Sequence, residues 1–129
     1  MFATQKSHDF RDKLIEFAIN IIKLTKSLPK TPESAIITYQ IIKSATSMGS
    51  NYTEAMFALT KADFIHCLNI CKKETGETLH WLEILLRLNP KQKDEIDLLL
   101  EASQSFLRIF VSSVKTSQKN NKQSTINNI

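Results

Sequence analysis

The chain has 129 residues, 42% of them hydrophobic and 23% charged. That size suits one hydrophobic core, and the composition excludes wholesale disorder and collagen-like repeats. Two glycines and three prolines are too few for the turns of a β-sandwich or barrel, and Gly49 and Gly76 lie too far apart to build a phosphate-cradling loop. No apolar run is long enough to cross a bilayer. The first dozen residues mix both charge signs without a signal-like apolar stretch, so the chain is expected to be cytoplasmic.

The formal charge of +4 is unevenly placed. Up to Glu101 there are thirteen acidic and thirteen basic residues; beyond it stand Arg108, Lys115, Lys119 and Lys122 and no acid. The final stretch, residues 118–129, is polar with isolated apolar residues, too few to offset the entropy of ordering it. It is expected to form a disordered basic tail, the alternative being a solvated chain end without a role.

The first helix is predicted over about 7–28. Phe10, Leu14, Phe17, Ala18, Ile21, Leu24 (or Ile22) and Leu28 recur at three- and four-residue spacing, and Pro29 ends the run. Thr31-Pro32-Glu33 supplies an N-cap hydroxyl, a first-turn proline and an acid, opening a second helix over about 33–59. Its stripe is Ile37, Ile41, Ala45, Met48, Tyr52, Ala55, Met56 and Leu59. Thr60-Lys61-Ala62-Asp63 resembles a capping box and starts a third helix over 61–88, carrying Phe64, Leu68, Cys71, Thr75, Thr78, Leu82 and Leu85. Asn89-Pro90 reads as the start of a fourth over 91–117, with Ile96, Leu99, Ala102 (or Ser103), Phe106, Phe110 and Val114. Long helices joined by short links pack as antiparallel neighbours, so the predicted fold is all-α, an up-down four-helix bundle.

The second helix also holds an unusual run, Lys43-Ser44-Ala45-Thr46-Ser47-Met48-Gly49-Ser50-Asn51, rich in poor helix formers. Gln40, Ser44, Ser47, Asn51 and Glu54 align on one face. In the third helix Ile70, Glu74, Glu77 and Trp81 form a second stripe. Glu54, Glu74 and Glu77 are expected to join Lys43, Lys73 and the Ser44/Ser47/Asn51 face in a partly buried polar network setting helix register or a subunit interface, because buried carboxylates require partners. Exposed acids on a solvated face are the alternative.

These residues carry a resemblance. K-S-A-T-S-M-G-S-N-Y-T-E-A from Lys43, then K-A-D-F-I-H-C-L-N-I-C-K-K-E-T-G-E-T-L-H-W-L-E-I-L from Lys61, are similar to the 23S rRNA intervening-sequence proteins, a family that also contains the accessory protein of diversity-generating retroelements. The resemblance rests on Ser44, Thr46, Ser47, Gly49, Asn51, Glu54, Ala55, Asp63, Phe64, Ile65, Glu74, Glu77, Thr78, Trp81 and Leu82. It implies a left-handed up-down bundle, a homo-oligomer (commonly a pentameric ring around a central channel), and a small non-enzymatic protein that binds nucleic acid. It also implies a protein partner such as a reverse transcriptase. The sequence departs from the pattern at Lys43, where arginine is usual, at Cys67, where a basic residue is typical, and at mid-helix Gly76.

Spacing bears on other chemistry too. Glu77-Thr78-Leu79-His80 has the Glu-x-x-His form of bundle metal sites and Asp63-Phe64-Ile65-His66 echoes it. Both lie on one helix about 21 Å apart, whereas a dimetal site needs facing helices; no metal or cofactor is expected. Cys67 and Cys71 stand one turn apart and are expected to be small buried hydrophobes. No nucleophile, base and orienting acid fall together, so no catalytic residue is assigned. The expected function is a non-enzymatic oligomeric scaffold binding RNA or DNA through Arg108, Lys115, Lys119 and Lys122, with Lys72 and Lys73 as further contacts. The alternative is an accessory subunit that docks a partner protein.

Overall fold

The computed structural model describes residues 2–127, with side chains through residue 120. The helices are α1 (Gln5–Lys26), α2 (Pro32–Met56), α3 (Lys61–Leu88) and α4 (Lys93–Asn127), with a 3₁₀ turn (Pro90–Gln92) before the last. Each helix packs on its neighbour in sequence and α4 closes back on α1. The four-helix bundle read from periodicity is therefore what forms, with no strand among the described residues.

The helix starts follow from capping chemistry. Thr31 Oγ1 accepts from Ser34 N–H at 3.2 Å, with Pro32 in the first turn, and Thr60 Oγ1 accepts from Asp63 N–H at 3.1 Å; each satisfies one of the otherwise orphaned first-turn amides. α1 begins earlier than Ser7. Thr4 Oγ1 accepts from Ser7 N–H (3.1 Å) while Thr4 N–H donates to Ser7 Oγ (2.7 Å), a reciprocal box in which serine replaces the usual acid or amide.

Other boundaries differ from expectation as well. α2 ends at Met56 rather than 59, because Thr60 must be extended (φ −129°, ψ 159°) to cap α3 and the chain has to leave the helix first. Leu59, placed on the apolar stripe by its spacing, is instead 85% exposed in that turn. Asn89 makes no side-chain cap to the helix after it; its backbone N–H and its Nδ2 both donate to the Leu85 carbonyl (2.9 and 3.0 Å), so it closes α3. α4 starts at Lys93 and continues to Asn127, beyond the end expected at 117. No proline or glycine follows Pro90 to stop it.

The core draws on all four helices, with Leu14, Ile21, Leu24, Ile41, Met48, Leu68, Leu82, Ile96 and Phe110 almost fully buried. Each such side chain contributes roughly 1.5–3 kcal/mol by leaving water. Packing is graded around the bundle. Between α2 and α3 the contact is made by Ser44, Ala45, Cys71, Thr75 and Thr78, all buried, and their small size lets the backbones approach. Between α1 and α4 the space is filled by rings: Phe10 meets Phe106 and Phe110 edge-on at 5.7 Å, and Phe17 meets Phe106 at 5.4 Å. Those rings hold the two helices apart, and the α1–α4 seam is the slackest.

Two positions mark unspent stability. A Cβ at Gly76 would meet nothing within 4 Å, so Gly76→Ala should raise unfolding free energy in urea by about 0.5–1 kcal/mol through reduced backbone entropy. Ser103 is 0% exposed and its hydroxyl has no hydrogen-bond partner among the described residues. Ser103→Ala should therefore raise it by about 1 kcal/mol.

Candidate functional site

The acid-free part of α4 becomes a stripe once the helix is in place. Arg108, Lys115 and Lys119 are exposed, and spacings of seven and four residues put them on one side of the helix, over a rise of about 16 Å. Ser112 falls between them, and a shallow depression of about 440 Å³ is lined by Leu107, Arg108, Val111, Ser112, Lys115 and Thr116. None of the three cations joins an ion pair among the described residues; the pair found there is Lys93–Asp97, within the first turns of α4. The side chain of Lys122 lies outside the described residues. Lys72 (half-buried) and Lys73 (exposed) lie together on α3, an element apart from the α4 stripe.

The small-polar face of α2 divides into an inner and an outer part. Ser44 is buried, and its Oγ accepts a 2.8 Å hydrogen bond from Thr78 on α3 while its own hydroxyl donates to the Ile41 carbonyl at 3.2 Å. The other small groups return to their own helix: Ser47 Oγ donates to Lys43 O (2.7 Å) and Asn51 Nδ2 donates to Ser47 O (2.8 Å). Spacing had assigned Thr78 to the apolar stripe; a hydroxyl facing a serine-bearing neighbour was the signal that it bridges the helices.

The acids stay on the outside. Glu54, Glu77 and Lys43 are exposed, and Glu74 and Trp81 are half-buried. Within one chain these acids make no ion pair with Lys43 or Lys73 among the described residues. Burial pushes the Glu74 carboxyl above its ordinary value, Glu77 adds to the rise, and Lys73 and Lys43 oppose it.

The reactive side chains are quiet. Cys71 is fully buried, its thiol in contact with the Met48 carbonyl at 3.5 Å, and burial followed by the neighbouring Cys67 pushes its pKa up to about 12. A thiol so held is protonated at neutral pH and a poor nucleophile or ligand. His66, Glu77 and His80 are exposed on α3. No group of three or more His, Cys, Asp or Glu is placed to hold a metal ion among the described residues. No described helix is long and apolar enough to cross a membrane.

A family model described as 23S rRNA-intervening sequence protein matches residues 6–112, taking in α1 to α3 and α4 as far as Ser112, so that Arg108 lies within the match and Lys115 and Lys119 beyond it. The chain belongs to this family. A crystal structure of a protein with unknown function from the S23 ribosomal protein family of Bacteroides thetaiotaomicron VPI-5482 superposes with a TM-score of 0.76 at 35% identity, covering 86% of this chain and 99% of that one. No curated protein gives a significant match. The family match takes in the α2 and α3 motifs that carry the sequence resemblance.

The raised Glu74 carboxyl has a stability consequence. A folded-state pKa above the unfolded one favours folding when the group is protonated, and this contribution is lost as pH rises from the ordinary carboxylate range through the raised value. Glu74→Gln should therefore raise the melting temperature at pH 7 and leave it nearly unchanged at pH 3, as followed by circular dichroism.

Proposed function

We propose that this protein is a non-enzymatic, self-associating helical scaffold that binds nucleic acid, RNA first among the polyanions, through the basic side of α4. The observation that carries the reading is the alignment of Arg108, Lys115 and Lys119 on an exposed face in a region with no carboxylate after Glu101. Unpaired cations at this spacing neutralise phosphates without reading bases, so binding would be sequence-tolerant and driven by counterion release. Self-association would repeat the stripe in every copy, multiplying weak contacts into avidity. The family description ties its members to 23S rRNA intervening sequences, which supports RNA as the ligand class to test.

A second reading is favoured by a different observation. Ile36, Tyr39, Phe57, Leu59 and Leu98 are each more than 60% exposed, more apolar surface than a solitary bundle needs. On that reading the protein is an accessory subunit that docks another protein, and the basic stripe is incidental.

Fluorescence anisotropy with a labelled single-stranded RNA, across a salt series, separates them. Binding should weaken steeply with salt, and replacing Arg108, Lys115 and Lys119 together by alanine should flatten the log–log slope by about 2. No binding at low salt, or an unchanged slope in the triple variant, would overturn the assignment to α4.

A further inference from the structure

Two banks of positive charge flank the seam between α3 and α4. Glu74 lies close enough to Lys43 of α2 to feel its charge, which marks the Glu74 edge of α3 as the α2 side. The opposite edge carries Lys61, Ile65, Lys72, Gly76 and Leu79 at helical spacing and turns toward α4. On α4, Leu98 and Leu99 share a small cavity with Asn20 and Lys23 of α1, which marks the α1 side. Leu107 and Val111, both half-buried, stand on the other edge, toward α3. Lys72 is sixteen residues before Leu88 and Ile109 sixteen after Lys93, the two ends of the link between these antiparallel helices. Lys72 is therefore level with the Leu107–Val111 turn, and Lys61 with residue 120. Lys61 and Lys72 are eleven residues apart on one bank, as Arg108 and Lys119 are on the other, a rise of about 16 Å on each.

Between the banks the surface is apolar. The depression of about 440 Å³ has Arg108 and Lys115 at its ends, Leu107 and Val111 as its floor, and the exposed hydroxyls of Ser112 and Thr116 at its margin. Gly76 puts no side chain into the seam, and a Cβ there would meet nothing within 4 Å. Among the described residues no carboxylate enters the seam alongside. α3 has none between Asp63 and Glu74, which share the α2 edge, and α4 has none after Glu101. Lys61 Nζ lies 5.5 Å from the ring centre of Phe2 and 5.8 Å from that of Phe64, a contact that holds the ammonium at the lower end of the seam without neutralising it. α1 and α2 diverge into a larger groove, about 750 Å³ at its wide end. Its cations are scattered, however, and Arg11 is tied to Thr53 Oγ1 at 2.7 Å.

We propose that the α3–α4 seam takes single-stranded RNA in preference to duplex, with phosphates on both banks and an unpaired base lying on Leu107 and Val111. The proposal rests on the nucleic-acid reading of α4 above and adds the second bank and the strand state. Packed helix axes lie about 8–10 Å apart, so one flexible strand can touch both banks at once. The apolar floor decides against a duplex. Paired bases have their faces covered by stacking and their edges by pairing, and a duplex is met through its backbone and grooves. Only an unpaired strand offers a row of phosphates together with a free base face. Aliphatic contact with that face does not distinguish one base from another, so the binding stays sequence-tolerant.

Fluorescence anisotropy of the full chain tests this with three labelled probes of equal length: a single-stranded RNA, the same strand in a blunt duplex, and the same backbone carrying abasic positions. Circular dichroism confirms that each variant folds. The base-bearing single strand should bind tighter than either other probe, by about tenfold over the abasic strand if a base covers about 50 Å² of apolar side chain. Replacing Leu107 and Val111 together by serine should erase the difference between base-bearing and abasic strands and leave the salt slope unchanged. Lys72→Gln, which keeps most of the side-chain stem, should flatten the single-strand slope by about 0.7. Gly76→Glu, at a position with open space, should weaken binding more than Gly76→Gln, because its carboxylate stands beside Lys72. Abasic or duplex probes bound as tightly as the single strand would overturn the proposal while leaving phosphate binding by α4 standing. An unchanged slope in Lys72→Gln, or equal effects of the two Gly76 variants, would overturn the second bank. No binding of any probe at low salt would overturn the nucleic-acid reading itself.

Discussion

The hydrogen bond between Ser44 and Thr78 joins α2 to α3 inside the bundle, and the neighbouring contacts are laid out around it. Each hydroxyl also has a carbonyl of its own helix within reach, Ile41 for Ser44 and Glu74 for Thr78, so the contact between them adds a polar link across the seam that favours one sliding register of the two helices. With that register set, Ala45 and Met48 face Cys71 and Thr75, and the outer stripe carrying Glu54 comes beside the one carrying Glu74. Elsewhere the bundle is held by less exacting matter. Aromatic rings between α1 and α4 tolerate small shifts that a 2.8 Å hydroxyl contact does not.

The uneven packing also explains where surface is left over. A bundle that draws two helices together through small residues cannot also keep every other pair in tight contact with the same helix diameters. α1, held at its far side by phenylalanines and opposite Gly49 and Thr53 on its near side, stands off from α2 and leaves a groove. The basic stripe arises differently: α4 is the longest helix, with 35 residues against 28 in α3, and its later turns have fewer apolar neighbours to recruit charge-free side chains.

Much of this was legible in the amino-acid order. Thr31-Pro32-Glu33 and Thr60 announce helix starts by a chemistry local to four residues, and the three-and-four spacing of Leu14, Phe17, Ile21 and Leu24 identifies a buried face without knowledge of its partner. Asn89 was misplaced because its amide can accept forward as a cap or donate backward to a carbonyl, and only the geometry of Leu85 decides between them. Leu59 kept the helical period after the helix had ended, since periodicity carries no information about where Thr60 needs the chain extended. The choice between Ala102 and Ser103 went to serine, against polarity, because rotation about the α4 axis is set by Phe106 and Phe110. The groove could not be read at all: it is a difference between two helices' side-chain lengths at matching heights, and heights are a property of the packed molecule. For the candidate site, Arg108 and Lys115 fall within the helix expected over 91–117, whereas the place of Lys119 on their face depends on α4 remaining helical past residue 117.

Cys71 gives the seam a property of its own. Its thiol is sealed between α2 and α3 and pushed up to a pKa of about 12, so a thiol-specific reagent can reach it and find it ionised only while the two helices are parted. The rate at which the reagent captures that sulfur, resolved from capture of Cys67, is thus a clock for the breathing of the α2–α3 contact at neutral pH. Ligands or neighbours that clamp α2 against α3 would slow it, wherever on the surface they bind.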